Sequence, residues 1–169
     1  MKNVRIRPGH PSDGERVAEM AAALSAHEGE PPPPFDAEIF RRYGFGAGHR
    51  FESLVAEVWE NSDPQTERGR TLAGYLLFSN LFHVGLGAPG LHMIDLFVEP
   101  RFRRFGLGRR MLAALARICH DREATWITWQ CLPSNTEAMA FYENIGGRRF
   151  NAANFELAGP TLARIAGEG

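Results

Sequence analysis

The sequence predicts an α/β domain with a mixed sheet, and three observations point to this fold class. Segments that alternate apolar and polar residues come first and predict a meander of strands. Segments with apolar residues at helical spacing then alternate with further strands, an order that favours some parallel strand neighbours. The length of 169 residues, with 44% apolar and 23% charged residues, predicts a single globular domain over residues 1–169.

Local patterns in the first half of the chain predict two helices between strands. Ser12 and Glu15 have the spacing of a capping box, which places a helix start ahead of an apolar stripe that runs to Leu24. Asp36 is the expected cap of a short second helix that ends near Gly44. The other predicted elements are a strand at 4–6, a strand at 51–60, a polar loop at 61–69 and a strand at 71–78.

Strands and helices alternate in the second half. Residues 91–98 predict a strand that Pro100 closes. Apolar side chains recur at helical spacing from Gly106 to His120, which predicts a long amphipathic helix. The remaining predicted elements are a strand at 126–131, a helix at 135–145 that is terminated by two glycines, and a last strand at 155–157.

The stretch 71–94 contains no charged residue, which raises the question of a membrane span. Ser79, Asn80 and His83 lie near its middle, and glycines and a proline follow them. Two strands joined by a glycine-rich loop explain this pattern better than a helix in lipid. We therefore expect no membrane partner.

Charge and cysteine content narrow the function classes further. A formal net charge of −1 argues against nucleic acid as the main partner, because nucleic-acid binders usually carry a basic excess. Cys119 and Cys131 have neither the spacing of a zinc site nor that of a disulfide scaffold. We therefore expect no metal and a reducing, cytoplasmic location.

A turn rich in glycine and arginine separates the strand at 91–98 from the next helix. The first N–H groups of a helix lack partners and attract an anion, and glycine lets a phosphate approach without a Cβ in the way. Five arginines surround the turn: Arg101, Arg103, Arg104, Arg109 and Arg110. The pattern predicts a pyrophosphate site, and a glycine-softened turn with solvated arginines is the structural alternative.

Two motifs carry the chemistry: Leu-Phe-Val-Glu-Pro at 96–100 with Arg-x-x-Gly-x-Gly at 103–108, and N-x-x-A-x-x-F-Y-x-x-x-G at 135–146. Together they resemble the signatures of the GNAT N-acetyltransferase superfamily. The turn at 44–46 and the strand after it are similar to the diamine (spermidine/spermine-type) acetyltransferase branch. The resemblance implies the GNAT acyl-CoA N-acyltransferase fold, a mixed twisted sheet of about six or seven strands with about four helices, splayed at the cofactor slot.

The resemblance also implies roles for individual residues. Acetyl-CoA would be held by backbone amides of the glycine turn and by the strand before it. The implied cofactor-binding residues are Leu96, Phe97, Val98, Arg103, Arg104, Phe105, Gly106, Leu107, Gly108, Arg109 and Asn135. Tyr142 matches the general acid that protonates the departing CoA thiolate, and packing beside Phe141 is its alternative role.

Acidic residues of the acceptor site match the diamine branch only in part. That branch carries two successive acids on the cofactor strand, where this chain has Ile94 and Asp95. Asp95 would hold the substrate ammonium or act through a water, and a purely structural carboxylate is the alternative. Glu28 matches an acidic residue of the substrate pocket, with a surface position as its alternative. His27, His83 and His92 are further candidates for a group that titrates near pH 7, with a surface position or a satisfied place in the core as the alternative for each.

The expected function is transfer of the acetyl group of acetyl-CoA to a primary amine of a small cationic substrate, by direct attack on the thioester. Residues 81–90 contain no acid where the branch has an acidic loop, which favours a diamine or a lysine-like amine over long polyamines. Acetylation of an antibiotic or protein amine, and a non-catalytic CoA-binding or sensing module, are the alternatives. The branch also implies a homodimer.

Overall fold

The computed structural model describes residues 3–60 and 69–168. These residues form two compact units, one that ends at Asn135 and one that begins at Thr136. The single domain expected over residues 1–169 therefore stays a prediction. The polar loop predicted at 61–69 lies outside the described residues except for Gly69.

A mixed five-stranded sheet with strand order β1-β2-β3-β4-β5 forms the centre of the first unit. The strands are β1 (Asn3–Pro8), β2 (Glu52–Trp59), β3 (Thr71–His83), β4 (Ala88–Val98) and β5 (Ile127–Thr128). β1 to β4 pair as antiparallel neighbours, and β5 is parallel to β4. The mixed α/β architecture is confirmed, with five strands in the described residues where the prediction was about six or seven.

Five α-helices accompany the sheet in the part of the chain that the structure describes. They are α1 (Gly14–Glu28), α2 (Ala37–Gly44) and α3 (Leu107–Asp121) in the first unit, and α4 (Thr136–Asn144) and α5 (Gly159–Ala166) in the second. Asp36 caps α2 as predicted, because its carboxylate accepts a hydrogen bond from the Ile39 N–H at 2.8 Å.

The start of α1 differs from the predicted capping box of Ser12 and Glu15. The His10 side chain instead accepts a hydrogen bond from the Ser12 N–H, and the Asp13 carboxylate accepts one from the His10 N–H. Asp13 also accepts two hydrogen bonds from the Arg7 guanidinium, at 2.8 and 2.9 Å. The prediction is wrong because an ion pair with β1 fixes the turn ahead of α1.

Helices cover both faces of the sheet. α1 and α2 pack on one face, in a buried cluster that includes Tyr75 of β3 and Phe97 of β4. α3 contacts β1 to β4 but contributes no residue to this cluster, so its buried stripe lies on the other face. The amphipathic helix predicted at 106–120 is thus confirmed.

The uncharged stretch 71–94 is a β-hairpin, as predicted. Its strands continue further than expected, because the predicted glycine-rich loop shortens to a 3-10 turn at Val84–Leu86. Gly87 closes this turn at φ 59°, and the pairing extends to His83 and Ala88. None of the helices in the described residues is long and apolar enough to cross a membrane.

Two predictions for the last third of the chain are wrong. The strand expected at 126–131 shortens to β5, and residues 145–158 contain neither helix nor strand. Phe155 is 95% exposed, so the alternating pattern at 155–157 completes no sheet in the described part of the chain. The helix α5 follows this segment and was not expected.

Candidate active site

β4 is paired along its whole length on one side only. β3 accompanies it from Ala88 to Val98, whereas β5 pairs only with Leu91 and His92. From Met93 onward, the backbone groups on the β5 side belong to no strand ladder of the described residues. An extended ligand with amide groups can pair with this free edge in the way an added strand does. Leu96, Phe97 and Val98, predicted to contact the cofactor, lie on this segment.

A β-bulge in β4 determines which side chains face α1. Leu77 of β3 is opposite Asp95 and the next residue of β3 is opposite Met93, so Ile94 is the extra residue. Ile94 is 43% exposed, while Phe97 is buried in the cluster that α1 and α2 form with the sheet. Asp95 lies two residues before Phe97 and opposite Leu77, which is also in that cluster. The bulge therefore turns Asp95 toward the α1 face.

Asp95 accepts a hydrogen bond through Oδ2 from the hydroxyl of Tyr75, at 3.1 Å. Burial raises the pKa of Asp95, and this hydrogen bond acts in the opposite direction. Oδ1 accepts no hydrogen bond from the described residues and keeps contact with solvent. The carboxylate thus has one oxygen held by the protein and one available to a ligand.

Tyr75 was missed by the sequence interpretation. It is fully buried in the middle of β3, and its pKa is raised far above the ordinary value by burial and by the charges of Asp95 and Glu28. Its signal in the sequence is a phenol within an uncharged apolar strand, since a buried hydroxyl needs a hydrogen-bond partner. The structure thereby brings Glu28, Tyr75 and Asp95 into one neighbourhood, with Glu28 exposed at the end of α1.

The predicted pyrophosphate turn reaches the start of α3 through two residues with positive φ. Arg104 has φ 65° and Gly106 has φ 73°, and Gly106 is the N-cap of α3 without a side-chain hydrogen bond. The first helical bond runs from the Arg110 N–H to the Gly106 carbonyl, at 3.0 Å. The N–H groups of residues 107–109 therefore have no acceptor within the helix, a geometry that suits an anion.

Side chains of the turn differ in what they offer a ligand. Arg103 donates from Nε to the Val98 carbonyl at 3.0 Å, which holds it against β4. Leu107 is buried, so only its backbone can serve a ligand, while Phe105 is exposed. Two exposed guanidiniums, those of Arg104 and Arg109, form no ion pair with the described residues. Arg101 instead pairs with Glu99 at 2.6 Å.

The second predicted motif lies at the junction of the units and in α4. Asn135 ends the first unit, where its N–H donates to the Leu132 carbonyl at 2.9 Å. Tyr142 is half-buried in α4 of the second unit, with its ring centroid 5.3 Å from that of Phe141. Its carbonyl accepts a hydrogen bond from the Gly147 N–H at 2.8 Å, which ends the helix as the two glycines predict. The general-acid role of Tyr142 stays a prediction.

The three candidate histidines lie on α1, β3 and β4. His83 accepts a hydrogen bond from the Leu86 N–H at 3.2 Å and so caps the hairpin turn. His27 is exposed on α1, and His92 lies in the ladder between β3 and β5. Across residues 3–60 and 69–168, no group of three His, Cys, Asp or Glu side chains is placed to hold a metal ion.

Comparisons with known proteins agree with this geometry. The family model described as "Acetyltransferase (GNAT) family" matches residues 20–146. Thialysine N-epsilon-acetyltransferase from Sus scrofa is 25% identical over 173 residues, which is 99% of this chain and 100% of that protein. L-ornithine N5-acetyltransferase NATA1 from Arabidopsis thaliana is 29% identical over 95 residues, 56% of this chain and 42% of that protein. An integron cassette protein of V. cholerae has the same fold, with a TM-score of 0.74, 18% identity and coverage of 96% of this chain and 97% of that one.

Proposed function

The chain belongs to the GNAT acetyltransferase family, and on this premise we propose that it acetylates the side-chain amine of a small cationic amino acid or a short diamine, with Asp95 as the anionic partner of that amine. It is an acetyl-CoA-dependent N-acetyltransferase. The observation that carries the proposal is the half-buried Asp95 carboxylate, held by Tyr75 through Oδ2 and open at Oδ1, where the free edge of β4 begins.

The features of β4 and α3 fit acetyl-CoA. The N–H groups at 107–109 are suited to its pyrophosphate, and Arg104 and Arg109 add positive charge beside them. The free edge of Leu96–Val98 is suited to the amides of the pantetheine arm. We assign Phe97 to this set through its backbone, because its side chain is buried. Asn135 follows from the family motif.

Acetyl transfer to an amine requires a neutral nitrogen. With an ordinary pKa of about 10.4, only about 1 in 2,500 amine molecules is neutral at pH 7, a deficit of roughly 4.6 kcal/mol. Asp95 pairs with the ammonium and then accepts its proton, directly or through a water. The raised pKa of this carboxyl, caused by burial, makes it a better proton acceptor than an exposed aspartate.

Acetyl transfer forms one C–N bond and breaks one C–S bond. The nitrogen attacks the thioester carbonyl, and backbone N–H groups of β4 stabilise the oxyanion. As the C–S bond breaks, the CoA thiolate accepts a proton from the Tyr142 phenol, and the phenolate recovers one through water from the nitrogen, which becomes a neutral amide. The proton that Asp95 took from the ammonium passes to solvent, so the products are the acetylated amine, free CoA thiol and one proton.

The surroundings of Asp95 limit the charge of the substrate. Glu28 is the second carboxylate of the neighbourhood, and residues 81–90 add none. Two carboxylates suit an amine with one or two positive charges better than spermine with four. The names of the relatives from Sus scrofa and Arabidopsis thaliana point to the amino-acid substrates thialysine and ornithine, which supports the same choice.

Release of free CoA thiol from acetyl-CoA across an amine panel tests the proposal. We expect thialysine, ornithine, lysine or putrescine to have a kcat/KM at least about 10-fold above that of spermine, which corresponds to about 1.4 kcal/mol of discrimination. Saturable acetyl-CoA binding without turnover on any amine would identify a sensing module instead. Turnover confined to an aminoglycoside or a protein N-terminus would contradict the proposed substrate class.

We also propose a homodimer in the cytoplasm that uses no nucleic-acid or membrane partner. Large apolar side chains are exposed on α5 and on the segment before it: Phe150, Phe155, Leu157, Leu162 and Ile165. A surface of this kind favours a protein partner, and a second copy of the chain would cover it. Light scattering tests this assembly, and a monomer at micromolar concentration would contradict it.

A further inference from the structure

We infer that Tyr75 is a positioning residue of the acceptor site, which holds Oδ2 of Asp95 so that Oδ1 faces the substrate amine. The inference rests on the proposed role of Asp95 as the carboxylate that receives the amine. It adds a residue from β3, on which neither sequence motif lies.

The position of the Tyr75 hydroxyl is fixed by packing. The side chain is 0% exposed, lies opposite Phe97 in the strand ladder and has its ring centroid 6.3 Å from that of Phe97. Residues of α1 and α2 cover the same cluster, so the ring has no alternative place. Its hydroxyl forms one hydrogen bond in the described structure, the one to Asp95 at 3.1 Å. Because the ring cannot move, the bond fixes the plane of the carboxylate.

The chemistry of a buried phenol suits this position. Burial keeps Tyr75 protonated at every working pH, so it donates to Asp95 without competing for the proton that the amine releases. Its hydrogen bond opposes the effect of burial on Asp95 and thereby keeps a larger fraction of the carboxyl ionised. An ionised and oriented carboxylate binds an ammonium better than one that is free to rotate.

Other charged groups around Asp95 do not replace this donor. The titratable and charged groups at the end of α1, on β4 and directly after β4 are His27, Glu28, His92 and Glu99. Glu99 is engaged by Arg16 and Arg101. None of these groups donates a hydrogen bond to Asp95, and no cation of the described residues forms an ion pair with it.

Steady-state kinetics of Tyr75→Phe tests the inference, with Asp95→Asn as a second variant. Tyr75→Phe should raise KM for the amine about 10-fold, the scale of one hydrogen bond to a charged group, while kcat changes less than about 3-fold. The acidic limb of kcat/KM should move to higher pH, because loss of the donor lets burial raise the pKa of Asp95 further. In an Asp95→Asn background, Tyr75→Phe should change KM for the amine by less than about 2-fold.

Tyr43→Phe is the matched control, because this tyrosine is 37% exposed and its hydroxyl forms no hydrogen bond with the described residues. It should leave the kinetics unchanged. If Tyr75→Phe keeps the wild-type KM and pH profile while Asp95→Asn is impaired, the inference is overturned and the proposed function stays intact. Wild-type KM in Asp95→Asn would overturn both. If Tyr75→Phe impairs the kinetics equally in the wild-type and the Asp95→Asn backgrounds, Tyr75 only packs in the core and the inference is overturned.

A second measurement applies if Tyr75→Phe does not fold. Incorporation of 3-fluorotyrosine at position 75 keeps the ring and strengthens the hydroxyl as a donor. We expect the acidic limb of kcat/KM to move to lower pH. An unchanged limb would overturn the inference.

Discussion

Substitution of Gly106 by valine separates the structural and the ligand-binding roles of the turn before α3. Gly106 is the N-cap of α3 at φ 73°, and a Cβ added there meets no protein atom within 4 Å. The protein itself therefore loses only the backbone preference, which costs about 1–2 kcal/mol of unfolding free energy for a side chain in the left-handed region. A phosphate seated on the N–H groups at 107–109 would meet the new methyl groups.

Gly87→Val is the matched control for this change. Gly87 has φ 59°, a Cβ there also meets no protein atom within 4 Å, and the residue lies in the β3–β4 hairpin turn. The two variants should lose similar thermal stability. Only Gly106→Val should weaken acetyl-CoA binding, by about 10- to 100-fold, since one charge-assisted hydrogen bond contributes about 1.5–3 kcal/mol.

Isothermal titration calorimetry with CoA measures the affinity, and thermal unfolding measures the stability. Wild-type affinity in Gly106→Val would refute the assignment of the pyrophosphate to this turn. Equal weakening in both glycine variants would show that backbone strain, and not contact with the ligand, accounts for the loss.

Three further predictions address the acid, the start of α1 and the hairpin. Tyr142→Phe should lower kcat about 100-fold with little change in acetyl-CoA affinity, as expected for loss of a general acid, and unchanged kcat would remove Tyr142 from the mechanism. Burial works against ionisation of Asp13, but the Arg7 hydrogen bonds hold its pKa below the ordinary value. Its contribution to stability is therefore present above the unfolded-state pKa and is lost as pH falls through the folded one. Asp13→Asn should flatten the acid side of the urea-unfolding profile, and an unaltered profile would contradict this. A Cβ at Gly90 would overlap the Trp126 ring, so Gly90→Ala should cost about 1–3 kcal/mol in the same urea assay, and full stability would show that the indole moves aside.

Local patterns predicted the parts of the fold that depend on near neighbours in the chain. The stripe of α3, the cap at Asp36 and the glycine turn at 103–108 all follow from residues within a few positions of one another. The hairpin at 71–94 was also predicted, because its turn residues lie within a single stretch of the chain that was recognised by its lack of charged residues. The motif at 96–108 depends on near neighbours in the same way, and its assignment of the cofactor strand stays a prediction.

Features that depend on distant partners were not predicted. The capping box predicted at Ser12 and Glu15 does not form, because Arg7 of β1 donates two hydrogen bonds to Asp13. The bulge at Ile94 depends on the register between β3 and β4, which no pattern within β4 reveals. The same register brings Tyr75 to Asp95, so the hydrogen-bond donor to Asp95 was missed for the same reason.

The half-paired state of β4 also bears on how the protein behaves in solution. A strand edge with free N–H and C=O groups is a template for non-native pairing with other chains, and such edges promote aggregation. In the described part of the chain, the bulge at Ile94 and the Arg103 side chain on the Val98 carbonyl interrupt this edge only in part. A coenzyme that covers the rest would therefore act as a stabilising additive during purification and storage, in addition to its role as a substrate.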